Sequence, residues 1–335
     1  MNQRIVNLRA LAIILIVLGH SIIIYDRSFD LLKSDIVMPM FETIKHFISF
    51  IQLKLFFFIS GFLMFYKINN YSNTPLIDSL KSGIRFFGDK FYRLLVPFFC
   101  ICFVWMDPIK IILGVKDYDL SWNLILQQLQ FSNCGHLWFL PCLFIIFIIM
   151  YILLVLIRQN ILGLTALFLV LAYLNYIYGR FPDAFQIQNA AYYIYYFYLG
   201  YLINYLGNRY EIDHIRFHIK YLIGFIAILF LIGYFIYKIT SIGFDFYLSS
   251  IVVIVCYILI PKNSIKIVTA ISKNSYGVYL FHSPMIYITA LCCPNINPWL
   301  MLFINFFVFG GVAYAMTAAV SKSKFRFLIG LYLCK

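Results

Sequence analysis

The sequence predicts an all-α polytopic membrane protein with about ten transmembrane helices and both termini in the cytoplasm. Three observations carry this. Of the 335 residues, 63% are hydrophobic and only 12% charged, with a mean hydropathy of +0.89, whereas a soluble domain is about 25% charged. Apolar runs of about 20 residues, the length a bilayer needs, recur along the whole chain. No soluble stretch is long enough for a second domain, so residues 1–335 read as one integral-membrane domain. Finally, Lys and Arg are unevenly placed. With the N-terminus inside, eighteen of the 26 fall on inner segments, against only Asp78, Asp89, Glu211 and Asp213 among the acids there.

The spans are expected near 5–25, 45–66, 86–105, 136–157, 161–178, 190–206, 219–237, 243–260, 275–291 and 298–320. The first is too long for the apolar core of a cleavable leader, and Gly19-His20-Ser21 lacks a small-x-small cleavage pattern. The longest connection, 106–135, contains LSWNLILQQLQF over 120–131. That stretch is amphipathic and suits the membrane surface or a re-entrant turn.

A net charge of +13 would suggest nucleic acid in a soluble protein. Dispersed between spans it reads as topology, and no nucleic-acid partner is expected. The eight cysteines form no CxxC pair and no Cys/His ligand spacing, so neither a metal site nor a disulfide framework is expected. The chain has no Walker loop, no GxGxxG after a strand, no GxSxG and no HExxH, which disfavours a nucleotide-driven motor and a serine hydrolase.

The candidate site begins in the first span, IVNLRALAIILIVLGHS over 5–21. Arg9 and His20 are eleven residues apart, about 1100° of helical rotation, so they share one face. The rise between them is about 16 Å, half the hydrocarbon thickness, which puts His20 near the midplane if Arg9 is at the inner interface. An ionisable group at that depth marks a functional site before it marks packing. Lys90 and Arg93, three residues apart, open the third span and would join Arg9 in a cluster of cations at the inner mouth. They read either as anchors that snorkel to lipid headgroups or as a binding site for a phosphorylated ligand.

Other polar residues at membrane depth have competing readings. His136 and Trp138, in GHLWFLP, start the fourth span from the outer side, where Trp is an ordinary belt residue. Ser275 and His282 are seven apart on one face of the ninth span, with His282 either functional or bonded to another helix. Lys54, inside the second span, needs a partner or an aqueous cavity, and Asp26, Asp30, Asp35 and Glu42 are candidates. His214 and His218 lie in a charged stretch that reads as a solvated loop.

Five fragments in order resemble the membrane acyltransferase-3 family. They are LRALAIILIVLGH over 8–20, FFFISGF over 56–62, KFYRLLVP over 90–97, GHLWFLP over 135–141 and SYGVYLFH over 275–282. The versions GHLWFLP and RLLVPFF look most like its fucose 4-O-acetylase branch. The resemblance implies a ten-helix, multi-pass enzyme of the bacterial inner membrane. It would move an acyl group, usually acetyl, from cytosolic acyl-CoA to a sugar hydroxyl of a surface polysaccharide or its lipid-linked precursor. Arg9 and His20 match the family's Arg–ten residues–His motif. Lys90 and Arg93 match its paired basic motif, with lysine where arginine is common. The chain reads Gln52-Leu53-Lys54-Leu55 where relatives often have His-Met-Pro-Leu. On this basis His20 is the general base, and Arg9, Lys90 and Arg93 hold coenzyme A, a donor substrate rather than a resident cofactor. His136, Trp138, Ser275, His282 and Lys54 are acceptor-side or structural. A permease or exporter of a lipid-linked glycan is the competing expectation. The absence of clear inverted repeats counts against it.

Overall fold

The structure, a computed structural model, describes residues 2–25, 36, 38–70, 74–115, 118–119, 121–209 and 244–332. All regular structure among them is helical. Five helices are long and apolar enough to cross a membrane by length and composition: α1 (Gln3–Ser21), α2 (Pro39–Asn69), α3 (Leu76–Ile112), the segment Gly135–Ile157, and α10 (Pro298–Lys322). The short helix α4 (Trp122–Leu129) precedes a 3₁₀ turn (Gly135–Trp138) that leads into α5 (Phe139–Ile157). Then come α6 (Ile161–Tyr176), α7 (Ile187–Arg209), α8 (Phe244–Leu259) and α9 (Lys266–Cys292). The expected spans 190–206 and 275–291 fall inside α7 and α9. Tyrosines, serines and a buried histidine lower the hydropathy of these two helices, and many of those side chains point into the bundle. The expected span 219–237, together with Asp26, Asp30, Asp35, His214 and His218, lies outside the described residues.

α1 packs between α2 and α9, α2 lies along α7, α3 against α5, and α9 against α10. The α2–α7 contact is close because both helices lack a Cβ where they cross. A methyl group at Gly61 would collide with the Phe197 carbonyl, and one at Gly200 with the Phe58 carbonyl. Small residues at a crossing are how membrane helices gain packing without a hydrophobic driving force. Asn204 fixes the same contact by donating to the Phe62 carbonyl at 2.7 Å.

One expectation is corrected. The third span does not end near residue 105. Its helix runs to Ile112, through π-turns at Phe91–Leu95 and Cys102–Met106. Asp107 and Lys110, expected on an outer loop, are helical and buried. Each π-turn precedes a proline, Pro97 or Pro108, that would otherwise break the helix. A proline has no N–H for the carbonyl four residues back, and its ring crowds that carbonyl. An inserted residue relieves the clash, and such turns recur at functional sites. The carbonyl of Arg93, which Pro97 cannot serve, accepts the hydroxyl of Tyr276 at 2.7 Å.

Candidate active site

Three histidines from three helical segments meet. His20 comes from the last turn of α1, His136 from the turn before α5, and the fully buried His282 from α9. The ring centroids of His20 and His282 are 5.0 Å apart. Those of His136 and His282 are 5.6 Å apart, and those of His20 and His136 are 6.2 Å apart. His136 stands edge-on to both.

The hydrogen bonds assign the protons. Nδ1 of His282 lies 2.9 Å from the Val278 carbonyl and 3.0 Å from the Tyr279 carbonyl. A carbonyl only accepts, so Nδ1 carries the hydrogen, and in a neutral ring Nε2 is then an acceptor. That Nε2 is 2.8 Å from Nδ1 of His20, so His20 donates from Nδ1. The consequence is chemical: Nε2 of His20 holds a lone pair and can take a proton. His282 does for His20 what a carboxylate does in a hydrolase triad, fixing the tautomer and the ring orientation. It does so without a charge.

His136 is held by two devices. Pro284 has no N–H for the Leu280 carbonyl four residues back, and Nε2 of His136 reaches that carbonyl at 3.4 Å. Tyr279 donates its hydroxyl to the backbone carbonyl of His136. Gln52 is a further polar group beside the last turn of α1. Its carboxamide oxygen is buried with no hydrogen-bond partner and lies 2.9 Å from the point a Cβ on Gly19 would occupy. Among the described residues, no group of three His, Cys, Asp or Glu has the geometry of a metal site.

A cavity of about 170 Å³ is lined by α1, α2, α3, α5 and α9. Arg9, Leu63, Leu94 and Tyr276 line it at one level, and Ile16, Phe56, Phe139 and Tyr279 at the next. Arg9 to Ile16 is about 10 Å of helix axis, and His20 follows one turn later. The wall is almost wholly apolar, and the hydroxyl-bearing residues on it are Ser60, Ser275, Tyr276 and Tyr279. Its size suits a slender chain rather than a nucleotide. Tyr279 is the wall shared by cavity and histidines, since its ring is also 5.5 Å from that of His136.

The other expected site residues separate. Arg9 lines the cavity, which Lys90 and Arg93 do not. The ammonium of Lys90 sits over the rings of Phe147 at 3.6 Å and Phe86 at 5.2 Å. Arg93 is exposed, with its guanidinium 5.6 Å from the Tyr332 ring. Trp138 packs against Tyr193 at 5.6 Å. The hydroxyl of Ser275 bonds the Ser272 carbonyl at 2.8 Å. Lys54 is buried over the rings of Phe50, Tyr196 and Tyr192 at 4.4, 5.3 and 5.6 Å. Sequence reasoning missed Pro284 and Lys110. A helical proline two residues after a membrane histidine was the available signal for the first.

A family model described as an acyltransferase domain matches residues 2–322. No curated protein and no solved structure matches the chain.

Proposed function

The chain belongs to the membrane acyltransferase-3 family and is an acyltransferase, and we propose that it carries an acetyl group from cytosolic acetyl-CoA to a sugar hydroxyl across the membrane, with His20 as general base. The observation that carries this reading is the 2.8 Å bond from Nδ1 of His20 to Nε2 of His282, which leaves Nε2 of His20 basic. The acceptor is a sugar of a surface polysaccharide or of its lipid-linked precursor, and the enzyme sits in a bacterial inner membrane. The chain then has ten spans with both termini in the cytoplasm, as the Lys/Arg bias implies.

Arg9, with Lys90 and Arg93 nearer the surface, holds the phosphates of the donor by charge-assisted bonds. The pantetheine arm lies in the apolar cavity that starts at Arg9, its thioester beyond Tyr279. The sugar hydroxyl approaches Nε2 of His20. As its oxygen bonds to the thioester carbon, Nε2 takes the hydroxyl proton, and the carbonyl becomes an oxyanion. Collapse of that intermediate breaks the carbon–sulfur bond, and the departing thiolate takes the proton from His20. Transfer is direct, since none of the matched fragments holds a cysteine to act as nucleophile. Holding both substrates in a closed bundle raises their effective concentration and keeps water from competing.

The test uses purified protein, with a melting curve, acetyl-CoA binding and acetyl transfer measured on one sample. His20→Ala is expected to keep folding and donor binding while turnover falls by about 10²–10⁴, the usual worth of a positioned base. His20→Gln is expected to fail equally, because an amide holds a hydrogen bond but takes no proton. A well-folded His20→Gln enzyme with full turnover would overturn the assignment.

A further inference from the structure

Beyond the histidines, toward the C-terminal end of α3, lies a polar cluster that the transfer chemistry leaves unused. Lys110 is 2% exposed. Among the described residues its ammonium has no hydrogen-bond acceptor and no ion pair. It rests over the rings of Tyr118 at 4.2 Å and Tyr287 at 5.3 Å. Asp107, one turn earlier, attracts the ammonium through space but takes its hydrogen bonds elsewhere. It accepts the Tyr118 hydroxyl at 2.6 Å, and Nε2 of Gln128 at 3.0 and 3.1 Å. Because the carboxylate fixes Nε2 of Gln128 on its own side, the other end of that amide is an oxygen. This Oε1 is buried with no partner, on a residue that is itself fully buried. Around Tyr118 the cluster therefore holds an ammonium without a hydrogen-bond acceptor and an amide whose oxygen has no donor, a costly combination for a structural core.

The cluster adjoins the histidines. A Cβ placed on Gly135 would lie 3.6 Å from Nζ of Lys110, and Gly135 precedes His136. Gly135 has φ +51°, a conformation that glycine adopts without strain, so the backbone passes close to the ammonium. Trp105, on the same helix, donates to the Phe281 carbonyl at 3.1 Å, which sets α3 against α9 at the level of His282.

We infer that Lys110 and the Oε1 of Gln128 form an anion-and-hydroxyl subsite for the acceptor, so that the sugar acetylated carries a carboxylate or a phosphate. This rests on the three histidines being the transfer centre. Lys110 supplies N–H donors to the anionic oxygens, and Gln128 accepts from a ring hydroxyl. The acceptor is thereby held with another hydroxyl turned to His20.

The test is binding without donor. The full chain is purified in detergent and melted, at constant ionic strength, with glucuronate, glucose 1-phosphate or glucose. At least one anionic sugar is expected to raise the melting temperature, and glucose is not. Protection by glucuronate alone identifies an acidic sugar unit. Protection by glucose 1-phosphate alone identifies the phosphate that joins a sugar to its carrier. Lys110→Met is expected to shift half-protection to at least about tenfold higher concentration, while Lys110→Arg stays close to the native value. Equal protection by glucose and the anions would overturn the subsite, and this comparison uses the native chain alone. So would undiminished protection of Lys110→Met, or protection lost instead in Arg9→Ala, which would put the anion at the donor mouth. Lys110-dependent protection in a protein that transfers no acetyl group would leave the subsite standing and sink the transfer reading.

Discussion

Trp105 donates its indole N–H to the backbone carbonyl of Phe281 at 3.1 Å, one residue before His282. The donor sits in the π-turn of α3 (Cys102–Met106), and its ring stands edge-on to that of Phe281 at 6.1 Å. The inserted residue that lets α3 pass Pro108 thus also presents the group that holds α9 beside the site. Trp105→Phe keeps an aromatic ring and removes the donor. A hydrogen bond of this kind contributes about 0.5–1.5 kcal/mol, so turnover is expected to fall about 2- to 13-fold with acetyl-CoA affinity unchanged. Steady-state kinetics beside a calorimetric titration of donor decide it. A loss confined to melting temperature, with native turnover, would make the bond a matter of packing alone.

His282 has its own signature. If it sets the tautomer of His20, an acceptor must remain at the position of its Nε2. His282→Leu removes that acceptor, and turnover is expected to drop about 10²–10³-fold, below the full loss of the base. His282→Gln restores an oxygen able to accept from Nδ1 of His20 and should recover part of it, with KM for acetyl-CoA the same in both. Equal activity in the Leu and Gln variants would remove His282 from the proton path.

Much of this site could be read from the chain, and the limits have physical causes. Arg9 and His20 share a helix, so periodicity alone put them on one face. The apolar run around His282 likewise gives it an expected place at membrane depth. Its partner is not legible, because the bond to His20 joins residues 262 apart in sequence, and no local rule predicts which helices adjoin. Pro284 names Leu280 as a carbonyl without its usual donor, yet only packing shows that His136 fills the gap. Asp107-Pro108 resembled the end of a span, since an acid and a proline commonly stop a helix. The preceding π-turn lets the helix continue. The connection then folds back, bringing Tyr118 and Gln128 onto Asp107. The sequence groups the cations at the inner mouth into one cluster; in the structure Arg9 lines the cavity and Arg93 is exposed.

That division yields a graded expectation for the donor. Arg9→Ala and Arg93→Ala should each weaken acetyl-CoA binding by about 1.5–3 kcal/mol, the value of a hydrogen bond to a charged group. Lys90→Ala should cost less, because its ammonium faces the rings of Phe147 and Phe86. Arg93→Lys should rescue only in part, since lysine lacks the bidentate fork. Isothermal titration of the purified variants gives the order. Native affinity in Arg93→Ala would return Arg93 to the role of a lipid anchor, and a Lys90→Ala loss larger than that of Arg9→Ala would reverse the assignment.

Orientation is the premise behind donor and acceptor sides alike, and it can be measured directly. Asn70 follows α2, and Asp119 lies in the connection after α3. Both are exposed. On a background without the reactive native cysteines, Asn70→Cys and Asp119→Cys should label with an impermeant maleimide from opposite faces of the membrane, Asn70→Cys from the cytoplasmic face. Cys134 makes an internal control in the native chain. It is buried, and burial pushes its thiol up to about 12. The reactive form is the thiolate, whose share falls as the thiol's pKa rises above the working pH. Cys134 should therefore stay unlabelled at pH 7.5 from either side and react only once the chain is unfolded. Labelling of both introduced cysteines from one face would invalidate the orientation drawn from Lys and Arg. Coenzyme A could then no longer be assigned to the Arg9 end of the cavity, even if His20 and His282 kept their roles.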